Sequence, residues 1–372
     1  MEITSKRILI VLPKLTCGGT ERTAAELANY IAATGGSVTI LLMYREELFY
    51  DLHPKVKLIQ PGDARKKMGR MVYVPILMNY LRKNIKSEKP DVIFALGYIA
   101  YTLGASLGIN SRVVISGRSS PTRVRYPGNK LLNTVYQLAH RALKKRVDGI
   151  IAQTRFAAKV YASKYSAPIR VIPNFLRNLT EHELPQKKWI VTVGRCSFEK
   201  GQHSLIEVFS KLKAPGWQLV IVGDGPKRNE LEKQAKTLGL NERIIFAGFQ
   251  QDVDLFLSQS KIFAFTSIIE GFPNALMEAM ATPLACVSFD CEAGPSDLIQ
   301  NGENGFLIEV DDIHQMVEKI QLLIDDENLR ASITQRASLA KEEYALNKIV
   351  NQYLDFFDQI IKQKTNKGQF AL

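Results

Sequence analysis

Ile262-Phe263-Ala264-Phe265-Thr266 is followed, after two more residues, by Ile269-Glu270-Gly271-Phe272-Pro273-Asn274-Ala275-Leu276-Met277-Glu278-Ala279-Met280. The first run is short and apolar, which suits a buried strand. Gly271 and Pro273 then break it, and Pro273 sits where the first residue of a helix is expected. Glu270 therefore falls in the loop before that helix and Glu278 about one turn inside it. A buried strand entering a helix through a tight turn is one step of a parallel α/β sheet.

Outward from this step the same alternation recurs along all 372 residues. Strand candidates fall at 7–12, 37–43, 56–59, 91–96, 113–116 and 149–153, then at 189–193, 218–222, 244–247, 262–266, 284–288 and 305–308. Each set of six reads as one Rossmann-like unit whose first strand leads into a glycine-bearing turn. Residues 173–188 are polar, carry Pro173 and Pro185 and have no period, so they read as a linker. Thr23 and Glu26 form a capping box for a helix whose apolar stripe is Ala24, Leu27, Ala28 and Ile31. The closing helices are expected at 313–325, 328–343 and 347–362, with a frayed tail at 363–372. Residues 92–109 carry no charge, but Gly97, Gly104 and Gly108 punctuate them, so strand, loop and helix are expected there rather than a membrane span.

Composition narrows the function. Apolar residues make up 46% and charged residues 23%, the balance of a globular protein. Cys17, Cys196, Cys286 and Cys291 include no C-x-x-C pair, which argues against a disulfide scaffold and a thiolate zinc site. The N-terminal apolar run is too short for a signal peptide, so a reducing cytoplasmic location is expected. The net charge of +12 is uneven: residues 1–178 carry 29 Lys/Arg against 10 Asp/Glu, the remainder 20 against 27. Such asymmetry points to an anionic partner of the first half: phospholipid head groups, a diphosphate substrate or nucleic acid.

The chemistry concentrates around Glu270 and Glu278. The first free N–H groups of their helix, near Asn274 and Ala275, would favour a phosphate. Two carboxylates beside a phosphate make sense if they accept hydrogen bonds from hydroxyl groups. Glu-x7-Glu opening a Glu-Gly-Phe-Pro helix resembles the signature of retaining GT-B glycosyltransferases of family 4 (glycosyl transferases group 1). The rest of the chain is similar in order: Gly18-Gly19-Thr20-Glu21-Arg22 in the first-strand turn, Gly194-Arg195 with Glu199-Lys200-Gly201, Gly223-Asp224-Gly225-Pro226, and Asn301-Gly302-Glu303-Asn304-Gly305.

That resemblance implies two Rossmann-like domains facing across a cleft. The first, 1–175, would be the acceptor side and include a crossing helix and tail at 351–372; the second, 176–350, would bind a nucleotide-sugar. By the same likeness Glu278 would accept bonds from ribose hydroxyls and Glu270 from a hydroxyl of the donor sugar. Arg195 and Lys200 would hold the diphosphate and stabilise the charge that develops on it. Gly18 and Gly19 would bring backbone N–H groups to the phosphates, and the base would rest near Gly223 and Phe249. No cofactor or metal is implied. Asp252-Val253-Asp254 reads as a helix cap rather than a metal site.

Where many relatives carry a histidine, this chain has Arg118, which can hydrogen-bond the donor sugar or an acceptor phosphate but cannot take a proton. Arg123, Arg125 and Lys130 extend that basic stretch on the acceptor side. Residues 64–89 hold eight Lys/Arg and one acid, with Val74, Leu77, Met78, Leu81 and Ile85 at helical spacing. They form either an amphipathic helix on an anionic membrane or a peripheral helix packed on the sheet. The implied activity moves a hexose or N-acetylhexosamine, from a UDP-linked donor by family prior, to a glycan or polyprenyl-diphosphate (lipid-linked) acceptor in bacterial surface polysaccharide synthesis. The enzyme would be cytoplasmic or peripheral at the inner face of the membrane. The alternatives are a sugar-nucleotide epimerase of the same fold and a basic nucleic-acid-binding protein; the latter lacks interleaved aromatics.

Overall fold

A computed structural model describes residues 6–62, 70–122, 128, 130–282 and 284–369. The chain divides into two compact units, Met1–Gln153 with Ala157–Asn174 and Asn347–Leu372, and Thr154–Phe156 with Phe175–Leu346. Each is built on one parallel sheet.

In the first unit the strands are β1 (Arg7–Leu12), β2 (Ser37–Leu42), β3 (Lys57–Ile59), β4 (Val92–Leu96), β5 (Arg112–Ser116), β6 (Gly149–Ala152) and β7 (Ile169–Val171), in the order β3-β2-β1-β4-β5-β6-β7. Alternate side chains of these strands serve opposite faces. Leu9, Val11, Ile93 and Ile115 pack with Tyr73, Leu77, Leu81 and Ile85 of helix Arg70–Glu88. The stripe that could have entered a lipid surface is thus part of the core. On β4, Phe94 meets the rings of Tyr353 and Phe357 from the last helix, Leu346–Gln369, at 5.7 and 5.3 Å.

The second unit holds β8 (Trp189–Val193), β9 (Gln218–Val222), β10 (Ile244–Gly248), β11 (Ile262–Phe265), β12 (Ala285–Phe289) and β13 (Phe306–Ile308), in the order β10-β9-β8-β11-β12-β13. Ile190, Leu219, Ile221, Ala264 and Val287 form one core with Leu205, Phe209, Met316 and Ile320 from the covering helices.

Four expectations change. β7 is an additional short strand. Helix Gly19–Ala33 starts at the glycine turn, with Arg22 N–H on the Gly18 carbonyl, so Thr23 lies inside it and its hydroxyl donates to the Gly19 carbonyl instead of capping. The helix expected at 328–343 is two, Glu327–Ala337 and Ala340–Glu343, the first capped by the Asp326 carboxylate on Leu329 N–H. The last helix continues past residue 362 to Gln369. Residues 92–109 contain β4 and helix Ile99–Ala105, and among the described residues no helix is long and apolar enough to cross a membrane.

Candidate functional site

Because every strand of the second sheet is parallel, the loops that leave β8, β9, β10 and β11 gather at one edge. β8 and β11 are the central neighbours from which the order runs outward in opposite directions, the place where doubly wound sheets open a crevice. Backbone contacts knit these loops. Gly223 N–H donates to the Gly248 carbonyl and Gly194 N–H to the Val222 carbonyl, at 2.8 and 2.9 Å. Gly223 has φ +134°, and a Cβ there would lie 2.0 Å from the Gly194 carbonyl oxygen. Only glycine fits both demands.

At this edge Lys200 Nζ lies 2.6 Å from Glu270 Oε1. The two come from loops after β8 and β11, stitched by Ile268 N–H on the Glu199 carbonyl at 2.9 Å. The Lys200 stem runs beside Gly194, where a Cβ would stand 3.4 Å from Lys200 Cδ. Its ammonium sits 5.6 Å from the centre of the Phe265 ring. The Glu270 side chain keeps only 9% of its exposure, so a cation within bonding distance offsets the cost of burying its charge. Burial, and next the negative charge of Glu270, push the nearby Cys291 thiol up to about 12. Arg195 is exposed; its carbonyl accepts from Gln202 Nε2 at 3.0 Å, and its guanidinium forms no ion pair among the described residues.

Glu278 is buried on helix Asn274–Met280, and Arg177 Nε lies 3.3 Å from its Oε2. The same guanidinium grips Asp254 with both terminal nitrogens. Burial pulls the Arg177 pKa down, but its bond to Asp254 and the charges of Glu278 and Asp254 outweigh that and leave it raised. Sequence reasoning missed Arg177, the one arginine of an aperiodic linker. It also placed Asp254 with Asp252 as a cap. Asp252 does accept from Leu255 N–H at 3.2 Å, whereas Asp254 is buried and committed to Arg177 and to Thr180 N–H.

Three further expectations, those for Pro273, Asn274 and Gly18, need correction. Pro273 precedes helix Asn274–Met280 instead of opening it, and Asn274 N–H donates to the Phe272 carbonyl at 3.0 Å, so it is not a free donor. Gly18 N–H is taken by the Tyr50 hydroxyl, which in turn donates to the Gly18 carbonyl. The β-bridge joining Gly223 to Gly248 stands directly before Phe249, whose ring is 70% exposed, an apolar platform beside that turn.

Arg118 belongs to the first unit. Its Nη1 donates to Asn174 Oδ1 at 2.7 Å and its Nη2 to the Tyr353 hydroxyl at 3.1 Å, while Gln153 Nε2 donates to the same Asn174 oxygen. Arg123 and Arg125 lie outside the described residues, as does the start of the 64–89 segment.

Residues 17–177 match the family described as Glycosyltransferase Family 4, and residues 177–339 the family described as Glycosyl transferases group 1. The chain belongs to the group 1 glycosyltransferases. This glycosyltransferase is 24% identical over 360 residues to the amylovoran biosynthesis glycosyltransferase AmsD of Erwinia amylovora, covering 95% of this chain and 99% of that one. It is 23% identical over 370 residues, with 95% and 99% coverage, to a Campylobacter jejuni α-1,4-N-acetyl-D-galactosaminyltransferase whose name gives its acceptor as a GalNAc-containing glycan on PP-undecaprenol. Among solved structures, Anabaena HepE in complex with UDP superposes with a TM-score of 0.76 at 20% identity, over 95% of this chain and all of that one. That likeness carries the fold, GT-B.

Proposed function

We propose that this glycosyltransferase is a retaining enzyme that moves a hexose or N-acetylhexosamine from a UDP-sugar to a polyprenyl-diphosphate-linked glycan in bacterial surface polysaccharide synthesis. The observation that carries the reading is the Lys200–Glu270 pair at the carboxyl edge of β8 and β11, with buried Glu278 on the helix that follows. In this reading the Glu278 carboxylate accepts the ribose hydroxyls and Phe249 offers its exposed face to the base. Glu270 accepts a hydroxyl of the donor sugar. Lys200 and exposed Arg195 take the diphosphate charge that grows as the bond from C1 to the phosphate oxygen breaks. The acceptor oxygen forms its bond to C1 on the same face, and its proton passes to the departing phosphate oxygen. No metal ion is assigned a part, and Arg118 supplies fixed positive charge to the loop after β5. The polyprenyl acceptor follows the names of the Campylobacter relatives, and the UDP donor follows the ligand of HepE.

The test offers a panel of UDP-sugars with membrane extract, in EDTA, and reads the anomeric configuration of the product by NMR. Transfer with retained configuration is expected. Nucleotide release that needs no acceptor would favour an epimerase, and an inverted product or a requirement for metal would overturn the mechanism.

A further inference from the structure

The carboxylate of Glu278 is held by a residue outside every motif of the sequence. Both terminal nitrogens of Arg177 are committed to Asp254: Nη1 donates to Oδ2 at 2.7 Å and Nη2 to Oδ1. Thr180 N–H adds a bond of 2.7 Å to the same Oδ2, and the Asp254 side chain is 4% exposed. This doubly bonded fork fixes the guanidinium plane. What remains is Nε, 3.3 Å from Glu278 Oε2. The fork to Asp254 sets the plane of Arg177, and in that plane Nε faces one oxygen of Glu278.

Charge balance alone does not account for the arrangement. Asp254 by itself matches the charge of Arg177, and one cation between two carboxylates leaves the cluster negative. The contact adds direction: a glutamate has three side-chain torsions, and holding Oε2 selects among them. Resting on the reading of Glu278 as the acceptor of ribose hydroxyls, we propose that Arg177 is a positioning residue for the donor nucleotide, fixing the Glu278 carboxylate in the orientation that receives the ribose.

The experiment measures, by calorimetry, the affinities of UDP and 2′,3′-dideoxy-UDP for the wild type, Glu278→Gln, Arg177→Gln, Arg177→Lys and the double variant Arg177→Gln/Glu278→Gln. Wild type should prefer UDP, and Glu278→Gln should erase the preference. Arg177→Gln should weaken UDP about tenfold, the worth of one hydrogen bond to a charged group, and leave dideoxy-UDP unchanged. The double variant should bind UDP no more weakly than Glu278→Gln, because both changes act on one contact. Arg177→Lys keeps the charge without the fork and should recover only part of the preference.

If Arg177→Gln does not fold, Arg177→Lys carries the decision, and full wild-type preference in it overturns the proposal. So does a folded Arg177→Gln that binds UDP like the wild type, or one that loses both nucleotides equally, as a merely structural residue would. Full preference retained in Glu278→Gln overturns the ribose reading itself. Preference lost in Glu278→Gln but kept in both Arg177 variants overturns only the positioning role.

Discussion

Lys200 and Arg195 share a loop and an assigned part, yet their surroundings differ, and the difference can be measured. Lys200 neutralises a carboxylate that is nearly buried, so Lys200→Ala leaves Glu270 without its cation. The expected cost is about 2 kcal/mol, below the figure for a fully buried pair because the Lys200 side chain keeps 26% of its exposure. Transfer should fall as well. Arg195 is exposed and holds no carboxylate among the described residues. Arg195→Ala should therefore shift stability by no more than about 0.5 kcal/mol, while turnover drops roughly 100-fold or more, as when one donor to a developing oxyanion is removed. Thermal denaturation and initial rates on the same two preparations separate the effects. An Arg195→Ala enzyme of normal rate would remove Arg195 from the diphosphate site. Lys200 and Glu270 were singled out from the sequence beside a glycine turn and just before a helix start, and the fold sets their charged groups 2.6 Å apart. Arg177 was not singled out, because its partners stand 77 and 101 positions away and only the folded chain brings the three together.

Among the elements, the turns after β8 and β9 make the sharpest prediction. Gly223 and Gly216 both hold positive φ, +134° and +75°, but a Cβ at 216 meets nothing within 4 Å whereas one at 223 would collide with the Gly194 carbonyl. Gly216→Ala should cost about 1 kcal/mol of backbone strain. Gly223→Ala adds a clash that only movement of the β8 turn can relieve, so its melting temperature should drop further and UDP affinity should fall with it. Equal melting temperatures for the two variants would show that the turns move apart without penalty. The strands these turns follow were readable from apolar runs bounded by glycine and proline, within one or two residues at each end. β7 was not, since Ile169-Arg170-Val171 is too short to show a period and stands against the linker. The basic helix Arg70–Glu88 was legible as a helix but not in its partner: the same apolar stripe suits a lipid surface or a sheet, and only the fold shows Leu77, Leu81 and Ile85 closed into the core.

At the scale of the whole molecule, the chain leaves its first unit at Asn174, builds the second, and returns from Asn347 to complete the first. The returning helix is integral to that unit. Tyr353, Phe356, Phe357 and Ile360 are all but fully buried. A Cβ at Gly149 of β6 would stand 3.0 Å from Ile360 and 3.1 Å from Phe356, so strand and helix touch where glycine leaves room. Asp358 pairs with Lys6, and the Tyr353 hydroxyl takes Arg118, so the residue suspected of chemistry also ties the loop after β5 to this helix. Phe357→Ala should then cost about 3–5 kcal/mol, and the loss should fall on the first unit alone. A single melting temperature cannot show this in a two-unit chain, whereas amide hydrogen exchange can. Protection should fall in β1, β4 and β5 and persist in β8, β9 and β11. UDP affinity should stay near that of the wild type, because Arg195, Lys200, Phe249, Glu270 and Glu278 all belong to the second unit, while transfer to the acceptor should drop. Protection lost evenly from both sheets would mean that the units unfold as one, and the acceptor and donor functions could not then be assigned to separately stable parts of the chain.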